Sequence, residues 1–260
     1  MKLGAIDDDR YDRSKRIPWL DLEAITEARI LMVGAGALGN EVAKNLALSG
    51  FRRITIVDMD HVVGSNLNRC MFFTEEHAER RAGKAEVLAE GIRTLSREAE
   101  PVPIRGRIED LGQTVFEDND IVLGCLDNIP ARLHVNSHSY AAGRIYIDGG
   151  MDGFAGRVMV SRPRHGACLQ CGMNKTHAKV ASLRFSCTGK DVVFHEPRLA
   201  AEITTTSIVS AVMVREALKG ASGKPDMLLS NAFFYDGQRN VSEEMEIPLD
   251  PNCPVHSRAD

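Results

Sequence analysis

Residues 30–39 read Ile-Leu-Met-Val-Gly-Ala-Gly-Ala-Leu-Gly, an apolar run that leads into a glycine-rich turn. A helical pattern follows over residues 40–48, and a second apolar run, residues 54–57, ends at Asp58. This order of strand, glycine turn, helix, strand and acid is the dinucleotide-binding fingerprint in the context that it requires. The sequence therefore predicts an α/β fold, Rossmann-like and doubly wound, with a mostly parallel sheet.

The glycine-rich turn is the first predicted nucleotide contact. Its glycines let the backbone pass close to a phosphate, and the following helix presents unpaired N–H groups to that phosphate. Asp58 lies about twenty residues beyond, where a carboxylate accepts hydrogen bonds from a ribose hydroxyl. The predicted contacts within the turn are Gly34, Gly36, Ala37 and Gly39.

The segment after Asp58 distinguishes between kinds of nucleotide. It reads Asp-Met-Asp-His over residues 58–61 and Ser-Asn-Leu-Asn-Arg over residues 65–69. A nicotinamide cofactor has no need of an Asn-x-x-Arg pair here, whereas a triphosphate does, because arginine offers a planar fork of donors to phosphate oxygens. The candidate ligands in this segment are Asp60, Asn66, Asn68 and Arg69.

Two further positions are predicted to lie near the phosphates. Lys84 begins a predicted helix, where lysine is disfavoured unless it points at an anion, although a surface lysine is the alternative. Asp127 and Asn128 follow a buried strand at residues 120–126, and ligands of open α/β sheets bind outside such strand ends. Asp127 is therefore placed to hold Mg²⁺ beside phosphates, and Asp127 or Asn128 would also serve as the N-cap of the next helix.

The remaining elements follow from hydrophobic periodicity. Helices are predicted at residues 20–28, from residues 74 and 83 onward, and at 199–218. Strands are predicted at residues 101–107 and 145–147. From residue 154 the pattern changes, and residues 157–161 predict a strand in a smaller antiparallel layer. A closing hairpin at residues 227–235 and 245–248 is expected to bring the C-terminal tail back to this layer.

Composition excludes several classes of protein. A length of 260 residues fits one large α/β domain, and a formal charge of −4 does not favour nucleic-acid binding. No apolar run approaches the ~18 residues of a membrane span, and the first residues carry no secretory signal. We therefore expect a cytoplasmic protein, in which six cysteines indicate metal binding or chemistry rather than disulfides.

Four of the metal-binding candidates form a recognisable pattern. Cys168 and Cys171 form a C-x-x-C pair, and Cys253 and His256 form a C-x-x-H pair far downstream. Together they predict a tetrahedral Zn²⁺ site that is closed, and hence structural, and that pins the C-terminal tail.

Cys187 is a separate candidate. It lies in a long polar segment, residues 174–199, and long loops in compact domains are usually functional. Basic neighbours in sequence, among them Arg184 and Lys190, favour its thiolate, although lone cysteines are more often inert.

The chain resembles the ubiquitin-activating enzyme superfamily, which includes the bacterial adenylyltransferases that activate sulfur carriers of molybdopterin and thiamine synthesis. The resemblance covers nearly the whole chain and is closest to the catalytic subunits of eukaryotic activating enzymes for ubiquitin-like proteins. The motifs that carry it are the glycine turn, residues 44–51 (KNLALSGF), 57–60 (VDMD), 65–69 (SNLNR), 125–132 (CLDNIPAR) and 147–150 (IDGG).

The resemblance implies adenylation of a protein's C-terminal glycine by Mg-ATP. It assigns Asp58 to the ribose, Asn66, Arg69 and Lys84 to the phosphates, and Asp127 to Mg²⁺. Arg13 matches an N-terminal arginine that reaches the ATP of the other subunit, which implies a homodimer. Cys187 falls where eukaryotic members carry the cysteine that forms a thioester, and Cys168, Cys171, Cys253 and His256 fall at the zinc positions. Two departures are Ala37, in place of a third glycine, and Cys70, in place of glutamine.

The resemblance also suggests a division of the chain. Residues 1–28 would form an N-terminal arm and helix, and residues 29–153 the nucleotide-binding core. Residues 154–260 would form the zinc-binding, crossover-loop and carrier-binding part of the same adenylation domain.

Several functions stay open at this point. The first is adenylation of a ubiquitin-like protein followed by a thioester on Cys187, with or without transfer to a conjugating enzyme. The second is adenylation alone of a sulfur-carrier protein with the same β-grasp fold and C-terminal glycine. Adenylation of a small molecule or an RNA-linked amino acid is a third. A non-catalytic partner subunit is disfavoured because Arg69, Lys84 and Asp127 are all present, and a plain NAD-binding protein explains neither Arg69 nor the zinc ligands.

Overall fold

The computed structural model describes residues 9–173 and 200–256. Its centre is one sheet of eight strands in the order β3-β2-β1-β4-β5-β6-β7-β8. The first five strands are β1 (Arg29–Val33), β2 (Arg53–Asp58), β3 (Glu100–Arg105), β4 (Ile121–Gly124) and β5 (Ile145–Asp152). They are all parallel, and β1 lies between β2 and β4. Strand order therefore reverses at β1, which makes its carboxyl end the switch point where open α/β sheets bind ligands.

Three antiparallel strands extend the same sheet beyond β5. They are β6 (Ala155–Ser161), β7 (Ala232–Asp236) and β8 (Val241–Met245). The antiparallel part is thus confirmed, and it is joined to the parallel part edge to edge through the β5–β6 hairpin. The predicted division between residues 153 and 154 stays a prediction and falls in the turn of this hairpin.

The prediction for the last strand was wrong. The closing strand is residues 241–245 rather than 245–248, and every one of its residues is exposed. It is held at the sheet edge by backbone pairing to β7, so its sequence carries no apolar alternation that would reveal it.

Seven α-helices cover the described part of the sheet. They are α1 (Leu22–Glu27), α2 (Ala37–Ser49), α3 (Glu75–Glu79), α4 (Lys84–Leu95), α5 (Thr114–Glu117), α6 (Ile129–Ala141) and α7 (Ile203–Ala221). Short 3-10 helices occupy Ser14–Arg16, Gly64–Asn66, Ile108–Asp110, Leu169–Gly172 and Pro225–Met227. Among residues 9–173 and 200–256, none of the helices is both long enough and apolar enough to cross a membrane.

The core lies on both faces of the sheet. On one face, Ile30 and Met32 of β1 pack in the cluster that includes buried side chains of α2, α4 and α7. On the other, Leu31 and Val33 pack in the cluster that includes Phe116 and side chains of α6. Successive residues of a strand point to opposite faces, so a strand buried on both sides reads as a continuous apolar run. This is why residues 30–33 are uniformly hydrophobic.

Candidate nucleotide site and metal cluster

The glycine turn lies at the carboxyl end of β1 and is packed tightly against β4. Gly34 has φ +100°, and a Cβ added there would come within 2.4 Å of the carbonyl oxygen of Cys125. A Cβ on Gly39 would come within 2.2 Å of the carbonyl oxygen of Gly34. At Gly36, by contrast, an added Cβ would meet nothing within 4 Å. Two glycines are therefore required by the fold, and Gly36 leaves the turn open on its outer side.

Asp58 anchors this turn from the end of β2. Its Oδ2 accepts a hydrogen bond of 2.6 Å from the Ala35 N–H, and its Oδ1 accepts one of 2.8 Å from the Asp60 N–H. Burial raises the pKa of Asp58 above its ordinary value. A carboxylate oxygen has more than one lone pair, so these backbone contacts leave acceptor capacity for a hydroxyl.

Lys84 lies beside Asp58 and Asp60 at the start of α4. Its ammonium group donates to Asp60 Oδ2 over 2.8 Å, and its backbone N–H donates to the Asp60 carbonyl oxygen over 3.0 Å. The Lys84 side chain is 12% exposed, whereas that of Asp60 is 54% exposed. The lysine at this helix start thus points at an anion, and in this structure the anion is Asp60.

The segment that carries Arg69 is organised by its own asparagines. Asn66 is buried, and its side-chain oxygen accepts a hydrogen bond of 3.1 Å from the Val63 N–H. Arg69 is half-buried and donates to the Ser65 carbonyl oxygen and, over 3.0 Å, to Asn68 Oδ1. The guanidinium is therefore held by contacts within its own segment.

The loop after β4 shows which of Asp127 and Asn128 caps the next helix. Asn128 accepts a hydrogen bond of 2.9 Å from the Ala131 N–H and is the N-cap of α6. Asp127 is exposed and does not act as the cap. The capping role thus belongs to Asn128, and the Asp127 carboxylate stays available at the carboxyl end of the sheet.

A buried charged network beneath Asp127 was missed from the sequence. Asp148, which is 0% exposed, accepts hydrogen bonds from Arg132 over 2.5 Å, from Tyr146 over 2.8 Å and from Arg157 over 3.1 Å. Arg132 also donates to the carbonyl oxygen of Leu126, next to Asp127. The network therefore joins the β4–α6 loop to β5 and β6. The sequence showed Arg132 and Asp148 within two of the quoted motifs but did not indicate that they pair.

This network supports a first prediction about stability. Arg132→Ala is expected to cost about 3 kcal/mol of unfolding free energy, because it removes one partner of a fully buried carboxylate. Arg157→Ala should cost clearly less, since the Arg157 side chain is 33% exposed and water can compensate for its loss. Urea denaturation of the two variants measures the difference. Equal costs would contradict the central role of Arg132.

The predicted metal ligands are brought together by the C-terminal tail. Cys168, Cys171, Cys253 and His256 each offer a ligand atom, and these atoms all lie within 4.8 Å of one another. The Cys168–Cys171 and Cys168–Cys253 sulfur distances are 3.9 and 3.7 Å, and Cys171 Sγ lies 3.6 Å from His256 Nε2. Burial raises the pKa of the Cys253 thiol to about 12, so a cation is needed to hold it as a thiolate. The cluster could hold a metal ion that pins the tail.

The remaining two predicted site residues are Cys187 and Arg13. Cys187 lies outside the described residues. Arg13 follows a segment in which Arg10 donates to the Leu95 carbonyl oxygen over 2.7 Å and the Tyr11 ring lies beside Gly50. Gly50 and Leu95 precede β2 and β3, so this segment lies at the amino end of the sheet. The glycine turn lies at the opposite end, about 20 Å away for a strand of six residues.

The sheet order, the glycine turn with its acid, and the polar side chains at the switch point define a nucleotide-binding α/β protein with an added Cys/His cluster. The chain belongs to the ThiF family, whose model matches residues 11–255. This confirms the resemblance to the superfamily of activating enzymes.

Two curated relatives illustrate the similarity. The chain is 36% identical over 181 residues to the NEDD8-activating enzyme E1 catalytic subunit of Caenorhabditis elegans, a match that covers 63% of this chain and 42% of that protein. It is 34% identical over 151 residues to SUMO-activating enzyme subunit 2 of Dictyostelium discoideum, with coverage of 57% and 22%. The chain thus spans less than half the length of these relatives.

Solved structures with a similar fold include E. coli MccB with ATP. That structure superposes with a TM-score of 0.76 at 20% identity and covers 97% of this chain and 75% of that one. At this identity the likeness shows the fold alone.

Proposed function

We propose that this chain adenylates the C-terminal glycine of a ubiquitin-like protein with Mg-ATP. The observation that carries the proposal is the position of Lys84. Its ammonium group is aligned by Asp60 at the same strand ends as the glycine turn and Asp58. Membership of the ThiF family and the names of the relatives, which activate NEDD8 and SUMO, support the protein substrate.

The proposed roles follow from charge and reach. Asp58 accepts hydrogen bonds from the ribose, and the turn residues Gly34, Gly36, Ala37 and Gly39 approach the phosphates. Lys84 and Arg69, with Asn66 and Asn68 beside them, neutralise charge as pyrophosphate leaves. A carboxylate reacts slowly with nucleophiles because its oxygen is a poor leaving group. Attachment of AMP turns that oxygen into a good leaving group. Positioning and charge are thus the main contributions of the protein.

The two proposed metal ions have different tasks. Asp127 is exposed at the carboxyl end of β4 and is proposed to hold Mg²⁺, which supplies charge neutralisation beside the phosphates. The Cys/His cluster suits Zn²⁺. A tetrahedral site with Zn–S bonds of about 2.3 Å and a Zn–N bond of about 2.05 Å has edges of about 3.8 Å between sulfurs and about 3.6 Å from sulfur to nitrogen. Three of the six spacings, at 3.9, 3.7 and 3.6 Å, agree with those edges, and all six lie within 4.8 Å.

A homodimer is proposed because Arg13 follows a segment at the amino end of its own sheet, whereas the glycine turn lies at the carboxyl end. The segment around Tyr11 is held near Gly50 and Leu95, away from the glycine turn of its own chain, and Arg13 is proposed to serve the nucleotide site of a second copy. We expect Arg13→Ala and Lys84→Ala chains to be inactive alone and to regain roughly a quarter of wild-type exchange when mixed, because half of the dimers then hold one intact site. A mixture that stays inactive while mixed dimers form would refute the shared site.

Mass spectrometry with small β-grasp proteins that end in glycine tests the whole proposal. An accepted carrier should gain AMP in the presence of Mg-ATP, and a thiol-sensitive adduct with this chain would indicate a thioester on Cys187. Cys187→Ala should keep adenylation and lose that adduct. Adenylation without any adduct, together with thiocarboxylate formation when a persulfide donor is added, would favour the sulfur-carrier alternative. No adenylated carrier would contradict the proposed function.

A further inference from the structure

Asn40 is a buried polar residue that none of the proposed roles uses. It lies in the first turn of α2, directly after the glycine turn, and it is 0% exposed. Its Nδ2 donates to the carbonyl oxygens of Ala35 over 3.1 Å and of Gly36 over 2.9 Å. Its Oδ1 accepts a hydrogen bond of 3.1 Å from the Phe72 N–H. The three partners fix the orientation of the amide, because carbonyls need a donor and an N–H needs an acceptor.

The first two contacts determine where the amides of the turn point. In a trans peptide the carbonyl and the N–H point in opposite directions. The Ala35 carbonyl shares its peptide with the Gly36 N–H, and the Gly36 carbonyl shares its peptide with the Ala37 N–H. Both carbonyls face the buried Asn40, so both N–H groups face outward, on the open side of the turn at Gly36. Outward amides at a helix start bind anions.

The third contact joins the turn to the segment that carries Arg69. Phe72 lies three residues beyond Arg69, and its N–H is held by Asn40 across a separation of 32 residues. Asn40 therefore ties the glycine turn to the backbone of the segment that carries Arg69.

We propose that Asn40 is a positioning residue of the nucleotide site. It holds the Gly36 and Ala37 amides toward the phosphates, and it fixes the Arg69 segment against them. This inference rests on the proposed function, because it takes Mg-ATP as the ligand of the turn.

Mg-ATP affinity, measured by isothermal titration calorimetry on the full chain, tests the two halves of this role separately. Asn40→Asp keeps an acceptor for the Phe72 N–H, but it places a carboxylate, which cannot donate, against the carbonyl oxygens of Ala35 and Gly36. In Asn40→Ser the hydroxyl can still donate to the Gly36 carbonyl oxygen, one helical turn back, but it is too short to reach the Phe72 N–H. Each variant is expected to weaken binding by about tenfold or more, the equivalent of one lost buried hydrogen bond.

Asn45→Ala is the matched control. Asn45 lies on the same helix and donates to Ser210 Oγ over 3.0 Å, away from the turn. It should leave the Mg-ATP affinity unchanged. Asn40→Ser should also cost clearly less in an Arg69→Ala background, whereas a purely structural residue would cost the same in both backgrounds.

A measurement on the wild type keeps the inference testable if the Asn40 variants do not fold. The ¹⁵N–¹H resonances of Gly36 and Ala37 should shift on addition of Mg-ATP. Unshifted Gly36 and Ala37 resonances, or folded Asn40 variants with wild-type affinity, would overturn the role of Asn40 while the proposed function stands. Failure of the wild type to bind Mg-ATP would refute the proposed function itself.

Discussion

Lys84→Ala is expected to lower ATP–pyrophosphate exchange, measured with an accepted carrier protein, by roughly 10²–10³-fold. The Lys84 side chain is only 12% exposed and its ammonium group is aligned by Asp60 over 2.8 Å, so the charge would not have to be ordered before it met a phosphate. Its charge acts in a partly desolvated site, where it is worth more than in water. Loss of that charge should raise the barrier as pyrophosphate departs.

Lys219→Ala provides the control for this effect. Lys219 is 15% exposed and pairs with the buried Glu216 over 2.5 Å. Both lysine side chains are therefore largely buried, and each pairs with a carboxylate. Lys219 lies in the last turn of α7 and has no proposed role in the reaction. Its loss should alter stability and leave exchange unchanged. Equal losses of exchange in the two variants, or full activity in Lys84→Ala, would contradict a phosphate ligand at this position.

The parallel part of the fold could be predicted because its signals are local. Residues 30–39 contain both the apolar run of a strand buried on two faces and the glycines that the turn requires. The tail was predictable for a similar reason, since the spacings of Cys168 with Cys171 and of Cys253 with His256 specify a cluster without reference to the path between them.

Contacts between distant segments account for what the sequence did not reveal. Arg132 and Asp148 lie on different elements, and neither residue alone indicates that its side chain turns inward. Asn40 reads as an ordinary helix residue, although it holds the Phe72 N–H. Strand β8 is exposed throughout and is held mainly by backbone pairing to β7, which leaves no pattern in side-chain polarity.

Removal of the metal from the Cys/His cluster is the second large expected effect. A structural zinc site contributes folding free energy directly, about 10–16 kcal/mol in isolated zinc fingers. In this chain the tail has other contacts, and we expect a loss of about 3 kcal/mol, or a fall of roughly 6–12 °C in melting temperature on treatment with a chelator. Calorimetry with and without the chelator measures it, and a chromogenic indicator should record one zinc ion released per chain.

Cys171→Ser should reproduce this fall and abolish the response to the chelator. Cys70→Ser replaces a buried thiol that lies outside the cluster and should keep both the metal and the response. A purified wild type that holds no zinc and is indifferent to the chelator would contradict a metal at these residues.

The proposed coordination of the cluster also predicts what metal removal leaves intact. Three thiolates and one imidazole close a tetrahedral site, so no position remains for a substrate. The ligands come from the Leu169–Gly172 region and the tail, whereas Lys84 and the glycine turn depend on β1, β2 and α4. Below its lowered melting temperature the metal-free protein should therefore bind Mg-ATP as the wild type does. Loss of that affinity in a folded, metal-free chain would mean that the ion acts on the nucleotide site and is not merely structural.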